Sequence, residues 1–146
     1  MELVMFVGIP ASGKSTQSTK YRQQGYRILS SDEIREGLIN GADLESLPEK
    51  EKVQLHSRVF EIIRKEAVAA LKRGQSVVVD ATNLNRKRRM SFLANFKRLS
   101  CTRKCVLFIT PVEICMKRNR DRTGNACVPE NGMQRMLCNF ECPNYW

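Results

Sequence analysis

The sequence predicts an α/β domain built on a central parallel sheet of four to five strands with helices on both faces. Three observations lead there. Four β-rich stretches alternate with helical ones along the chain. The strands read as continuous apolar runs, as expected where helices cover both faces of a sheet. The helix starts carry capping signals. Leu3 to Val7 is the first strand, Arg27 to Leu29 a shorter second, Ser76 to Val79 the third and Cys105 to Ile109 the fourth.

The helices are marked by their ends. Ser30 is followed three residues later by Glu33, the pattern of a capping box. Thr110-Pro111-Val112-Glu113 joins a Thr cap to a Pro at the first helical position and an acid behind it. A long helix is expected from about Pro48 to Arg73, with Val59, Ile62, Ile63, Ala67, Ala70 and Leu71 on its buried side and Gly74 closing it. Another follows Asn85, where Phe92, Leu93, Phe96 and Leu99 recur at helical spacing and read as core.

With 146 residues, 42% of them hydrophobic, the chain can bury one core, so residues 1–146 are expected to form a single domain. Its 25 Lys and Arg against 15 Asp and Glu leave a formal charge of +10, a field that concentrates polyanions such as nucleic acid or nucleotides. No apolar run is long enough for a membrane span and none has the form of a signal peptide, so a cytoplasmic location is expected. There the six cysteines (Cys101, Cys105, Cys115, Cys127, Cys138, Cys142) should remain thiols, and no C-x-x-C pair points to zinc.

The motif that carries chemistry is Gly8-Ile9-Pro10-Ala11-Ser12-Gly13-Lys14-Ser15, which fits G-x-x-x-x-G-K-[ST] between a strand and a helix. Glycines let successive N–H groups turn toward phosphates, and the following helix adds its positive N-terminal end. Lys14 would bridge the terminal phosphates of ATP or another nucleoside triphosphate, and the Ser15 hydroxyl would bind Mg²⁺. Gly8, Ala11, Ser12, Gly13 and Thr16 complete the donor-binding loop. Ala11 stands where such loops often carry glycine, a departure that should be tolerated if the position keeps a negative φ.

Asp32 lies just past the carboxyl end of the second strand, in the first turn of a helix, where α/β proteins keep their sites. Two readings are open. Asp32 could take a proton from an attacking hydroxyl while Arg35, three residues on and on the same helical face, holds a substrate phosphate. Equally, Asp32 could complement the helix dipole and Arg35 merely pair with it. Asp80 ends the third strand with an acid, the layout of a Walker B aspartate that orients Mg²⁺, although an Asp there can also be turn chemistry.

Arg86-Lys87-Arg88-Arg89 places four cations where a helix dipole disfavours them, which implies a nearby anion, a polyanion track or plain solvation. Arg118 and Arg122 share a helical face and repel unless an anion lies between them. As the arginines of a lid they would neutralise charge on a transferred phosphoryl group, and Gly124 and Pro129 break the chain behind them as a mobile lid requires.

Taken in order, Gly8 to Thr16, Ser31-Asp32 with Arg35, Asp80-Ala81-Thr82-Asn83-Leu84-Asn85 with Arg88-Arg89, and Arg118-Asn119 with Arg122 and Val128-Pro129 resemble the polynucleotide 5′-kinase family, in particular the kinase domains of phage polynucleotide kinase-phosphatase and of bacterial RNA-repair kinases. The resemblance runs from residue 3 to about residue 137. It implies a P-loop kinase fold with an arginine-bearing lid. It also implies transfer of the γ-phosphate of ATP to the 5′-hydroxyl end of RNA or DNA, with Mg²⁺. Lys14, Arg118 and Arg122 would act on the donor phosphates and Asp32 as general base. Arg35 would hold the phosphate on the 3′ side of the acceptor, Thr82, Asn83 and Arg88 would join it on the substrate side, and Ser15 and Asp80 would serve the metal.

No phosphatase or ligase pattern follows, so a separate chain is expected to supply any such activity on the same ends. The cysteine-rich make-up of the Cys127 to Trp146 tail matches no recognised pattern, and its closing Asn144-Tyr145-Trp146 could pack on the core, stack on a base or fray. Two other readings compete. A kinase of a small metabolite or nucleoside predicts an enclosed pocket, and a non-catalytic nucleotide-regulated nucleic-acid-binding module needs Asp32 to be dispensable.

Overall fold

A computed structural model describes residues 1–144; Tyr145 and Trp146, and with them the expectation that the last aromatic residues pack or stack, lie outside the described residues. Four strands, β1 (Glu2–Val7), β2 (Arg27–Ser30), β3 (Val77–Asp80) and β4 (Thr102–Leu107), form one parallel sheet in the order β2-β3-β1-β4. Six helices accompany them: α1 (Lys14–Gln23), α2 (Ser31–Ile39), α3 (Glu49–Lys72), α4 (Arg86–Ala94), α5 (Val112–Arg120) and α6 (Glu130–Cys138).

Side chains alternate across β1 and so divide the core. Leu3, Met5 and Val7 face α3 and α4 with Leu29, Val77, Val79, Val59, Ile63, Leu93 and Phe96. Val4 and Phe6 face the opposite side with Val78, where Tyr21 of α1, Tyr26, Ile28, Val106 and Phe108 cover them. A third cluster joins Ile9 and Leu84 to Cys115 on α5 and Met133 on α6. It gives the tail after Cys127 a packing role, because Val128, Met136 and Leu137 close over that cluster.

Two expectations are corrected. The fourth strand begins at Thr102, not Cys105, and ends before Ile109, which is 83% exposed. Its register, Glu2↔Thr102 through Val7↔Leu107, is set by β1, and as an edge strand it keeps the polar Thr102, Arg103 and Lys104 in solvent. No apolar run therefore marks its start. The helix after Asn85 ends at Ala94, yet turns from Phe96 to Leu93 and from Leu99 to Phe96 carry its spacing onward, so Phe96 is still fully buried.

The capping box at Ser30 is half made. Ser30 Oγ accepts the Glu33 N–H at 3.3 Å, while the Glu33 carboxylate lies 3.8 Å from Arg22. This cap sets the direction of α2 as it leaves β2, and so fixes where Asp32 stands.

Candidate active site

The loop from Gly8 to Gly13 leaves β1 at its carboxyl end and enters α1 at Lys14. Gly8 N–H donates to Thr82 O at 3.0 Å, and a Cβ at Gly8 would lie 2.8 Å from Phe108 Cβ and 2.8 Å from Ser12 Oγ. Only glycine lets the two strand ends approach this closely. Gly13 takes a φ of 102° immediately before α1. Ala11 does not keep a negative φ: it sits at 63°, a left-handed conformation that costs an L-residue about 1–2 kcal/mol.

Lys14 reaches back over the loop, its Nζ donating to Gly8 O at 3.0 Å and to Ile9 O at 2.7 Å. Burial pushes its ammonium down to about 8, against the opposing pull of Asp80 and Asp32, while Arg122 adds to the depression. A poorly solvated cation held by two carbonyls is poised to gain from phosphate oxygens. Ser12 Oγ is buried without a partner, a further donor inside the loop. These features fit a nucleoside triphosphate.

Ser15 and Thr16 are exposed in the first turn of α1. Asp80 is half-buried at the end of β3, accepts the Ser18 hydroxyl of α1, and is pushed above the usual carboxylate range by burial, with Ser18 and Lys14 working the other way. Hydroxyl and carboxylate oxygens are the hard donors that Mg²⁺ prefers.

Thr110 was expected to cap α5. Pro111 occupies that position instead, with no side-chain cap, and Thr110 Oγ1 donates to Ser12 O at 2.8 Å. The hydroxyl thus ties the end of β4 to the phosphate loop, a role the Thr-Pro pattern concealed because the partner lies 98 residues away in sequence.

Asp32 and Arg35 share one face of α2 and pair at 2.6 Å, with the Asp32 side chain 84% exposed and Arg35 largely covered. Beyond them lies a residue that sequence reasoning passed over. His56 on α3 packs its ring on Phe60 at 4.8 Å, and Arg88 Nη1 of α4 comes within 3.4 Å of its Nε2. Burial first, then the charges of Arg88 and Arg35, push the imidazole below its ordinary range. As the chain's one histidine, in an otherwise unremarkable helix, it carried no motif.

The Asp80 to Asn85 stretch divides between chemistry and scaffold. Asn83, placed by resemblance on the substrate side, has a φ of 47° and gives its amide N–H to Phe6 O at 2.8 Å. Its amide group therefore fastens the loop to β1. Thr82 is half-buried beside it and its carbonyl receives Gly8.

The cationic run is corrected at Arg89, which is 1% exposed and donates to Asn83 O at 2.8 Å, Leu84 O at 2.7 Å and Glu141 O at 2.8 Å. It is a structural bolt. At the start of α4, Glu141 Oε2 accepts the backbone N–H of Arg86 at 2.6 Å, an anion at the positive end of the helix dipole. Arg86, Lys87 and Arg88 remain exposed.

Arg118 Nη1 lies 3.4 Å from Ala11 O, and Arg122 acts on Lys14. Both therefore border the phosphate loop. The segment behind them is fastened at two points. Buried Asn119 exchanges two bonds with Val128, at 2.7 and 3.0 Å, and Pro129 opens α6. At the tip, Asn125 accepts Leu44 N–H at 2.9 Å and donates to Ala42 O and to Glu36 on α2.

The six cysteines are free thiols; Cys115 is buried, and burial raises it. Among the described residues no helix is long and apolar enough to cross a membrane.

Comparison with known proteins agrees with this architecture. The chain is 28% identical to Protein KTI12 of Saccharomyces cerevisiae over 149 residues, covering 99% of this chain and 47% of that protein. It thus spans about half the length of that curated relative. Among solved structures it is similar to a chain of the Pnkp1/Rnl/Hen1 RNA repair complex, with a TM-score of 0.76 at 23% identity, covering 94% of this chain and 43% of that one. It is also similar to a sugar kinase from Janibacter sp. HTCC2649, with a TM-score of 0.72 at 16% identity, covering 99% and 80%. These likenesses establish a P-loop kinase fold. Residues 3–143 match the AAA domain family, and the chain, with its phosphate loop and parallel sheet, belongs to that family.

Proposed function

We propose that this domain transfers the γ-phosphoryl group of ATP, or of another nucleoside triphosphate, to the 5′-hydroxyl end of a polynucleotide. The observation that carries the proposal is the Asp32–Arg35 pair just past the carboxyl end of β2, with the Asp32 carboxylate standing in solvent and near enough to act on Lys14. A base exposed on a helix surface, with basic side chains continuing past it, suits the end of a long polyanion better than a small metabolite held in a closed pocket. Likeness to a chain of an RNA repair complex supports the same acceptor class.

The loop N–H groups and Lys14 would bind the donor phosphates, and Arg118 and Arg122 would meet the charge that spreads over the transferred group. Mg²⁺, held through Ser15 and Asp80, would supply charge neutralisation between the donor phosphates. An acceptor phosphate drawing Arg35 toward itself would loosen the Asp32–Arg35 pair, leaving the carboxylate free to accept the proton of the attacking hydroxyl. Positioning and charge neutralisation account for most of the acceleration in such reactions.

The test offers Mg²⁺ and γ-labelled ATP with a 5′-hydroxyl oligonucleotide, its 5′-phosphorylated twin and a panel of sugars. Label is expected on the 5′-hydroxyl oligonucleotide alone, with kcat reduced by about 10²- to 10⁴-fold in Asp32→Asn. Label on a sugar would overturn the acceptor class. Binding of ATP with no transfer to any acceptor would leave a nucleotide-regulated binding module.

A further inference from the structure

Three helices bring Arg35, His56 and Arg88 to one patch beside Asp32. Arg35 has a carboxylate partner in Asp32. Among the described residues Arg88 has none, and its guanidinium meets the His56 ring nitrogen at 3.4 Å. The imidazole is half-buried against Phe60, and two guanidinium charges disfavour its protonation. A neutral ring can accept a guanidinium N–H, so it can fix the direction of the Arg88 fork without neutralising it. Two guanidinium groups whose charges both reach His56, one of them oriented by the neutral ring and without a counter-charge among the described residues, form a receptor for an anion.

We propose that Arg88 binds a second phosphate of the acceptor strand, the one that follows the phosphate assigned to Arg35, and that His56 is its positioning residue. This rests on the polynucleotide reading and deepens it: the preferred acceptor carries at least two phosphates on the 3′ side of its 5′-hydroxyl. A strand leaving the reaction centre would pass Arg35 on α2 and then Arg88 on α4, with His56 on α3 between them.

The experiment compares kcat/KM for a 5′-hydroxyl dinucleotide bearing a 3′-phosphate with that for a nucleoside 3′-monophosphate. In parallel, it measures Kd for a 3′-labelled 5′-hydroxyl tetranucleotide over a range of salt. In Arg88→Gln the preference for the two-phosphate acceptor should fall about tenfold, carried by KM, and the slope of log Kd on log salt should shrink by about 0.7. His56→Leu should lose about threefold of the same preference, and His56→Gln, which retains an acceptor for the Arg88 N–H, should restore it.

Equal losses on both acceptors, or an unchanged preference with an unchanged salt slope, would overturn the subsite while leaving the kinase reading intact. If the wild-type protein binds the tetranucleotide with a slope that Arg88→Gln reduces but transfers no label, the subsite stands and the kinase reading fails. If Arg88→Gln leaves the salt slope unaltered in a protein without transfer, both fall.

Discussion

The phosphate loop and the proposed acceptor surface are built in different ways. Around the phosphate loop nearly every group is held by backbone or by a hydroxyl from another element: Lys14 by Gly8 and Ile9, Ser12 O by Thr110, Asp80 by Ser18, and Gly8 by Thr82. The proposed acceptor surface consists of side chains on α2, α3 and α4, where Asp32 and Arg88 are exposed and, among the described residues, Arg35 is tied only to Asp32. Phosphates of a nucleoside triphosphate present one geometry and reward a rigid cradle, whereas a polymer end demands a surface open at one side. The two are joined through Asn125, whose bonds to Glu36, Ala42 and Leu44 clasp the segment behind Arg122 to α2 and the turn after it.

The largest effect that would sharpen this contrast is expected at Lys14. Lys14→Met should lower kcat by about 10³-fold while leaving or raising the melting temperature, because the substitution removes a cation that burial disfavours in the free protein. A melting temperature that falls sharply would show the ammonium to be structural and erase the distinction between rigid cradle and functional charge.

Arg89→Met comes next and probes the foundation under the acceptor helix. Three backbone carbonyls would lose a buried charged donor, so thermal unfolding should report a loss of about 3 kcal/mol. A loss near zero would mean that the 83–84 loop and the tail are held by other means.

Ala11→Gly should stabilise the free protein by about 0.5 kcal/mol, since relief of the left-handed φ outweighs the added backbone freedom of glycine. Destabilisation measured by chemical denaturation would show the loop strain to be absent in solution.

The smallest effect concerns pH. His56 is held below its unfolded value by burial and by Arg88 and Arg35, so the unfolded chain binds its proton more readily. Its contribution is therefore complete above about pH 6.5 and is lost as the pH falls below that value. Melting temperatures from pH 7.5 to 5.5 should fall more steeply in the wild type than in His56→Gln. Parallel curves would mean that the ring is not crowded by the two arginines.

Much of this molecule was legible from local sequence. The phosphate loop, the Ser30 cap, the long α3 and the Asp32–Arg35 pair depend on residues within a few positions of one another, and the structure shows each of these local features. The exceptions share a cause. Thr110 looked like a cap because cap and loop tie are the same hydroxyl chemistry, and only the distant Ser12 carbonyl decides between them. Arg89 looked like its three cationic neighbours because one helical position separates an exposed side chain from a buried one.

What the amino-acid sequence by itself determined is therefore the parallel α/β plan, the donor loop and the residue types that handle phosphate, since these follow from periodicity, capping and a short motif. The tertiary structure alone decided that Ala11 takes a left-handed φ, that the Asn83 amide and Arg89 fasten the loop after β3, that Asn125 clasps the segment behind Arg122 to Glu36 of α2, and that His56 meets Arg88. Each of these depends on where separate segments come to rest against one another. Local propensity carries no record of partners dozens of residues away, and long-range packing supplies it.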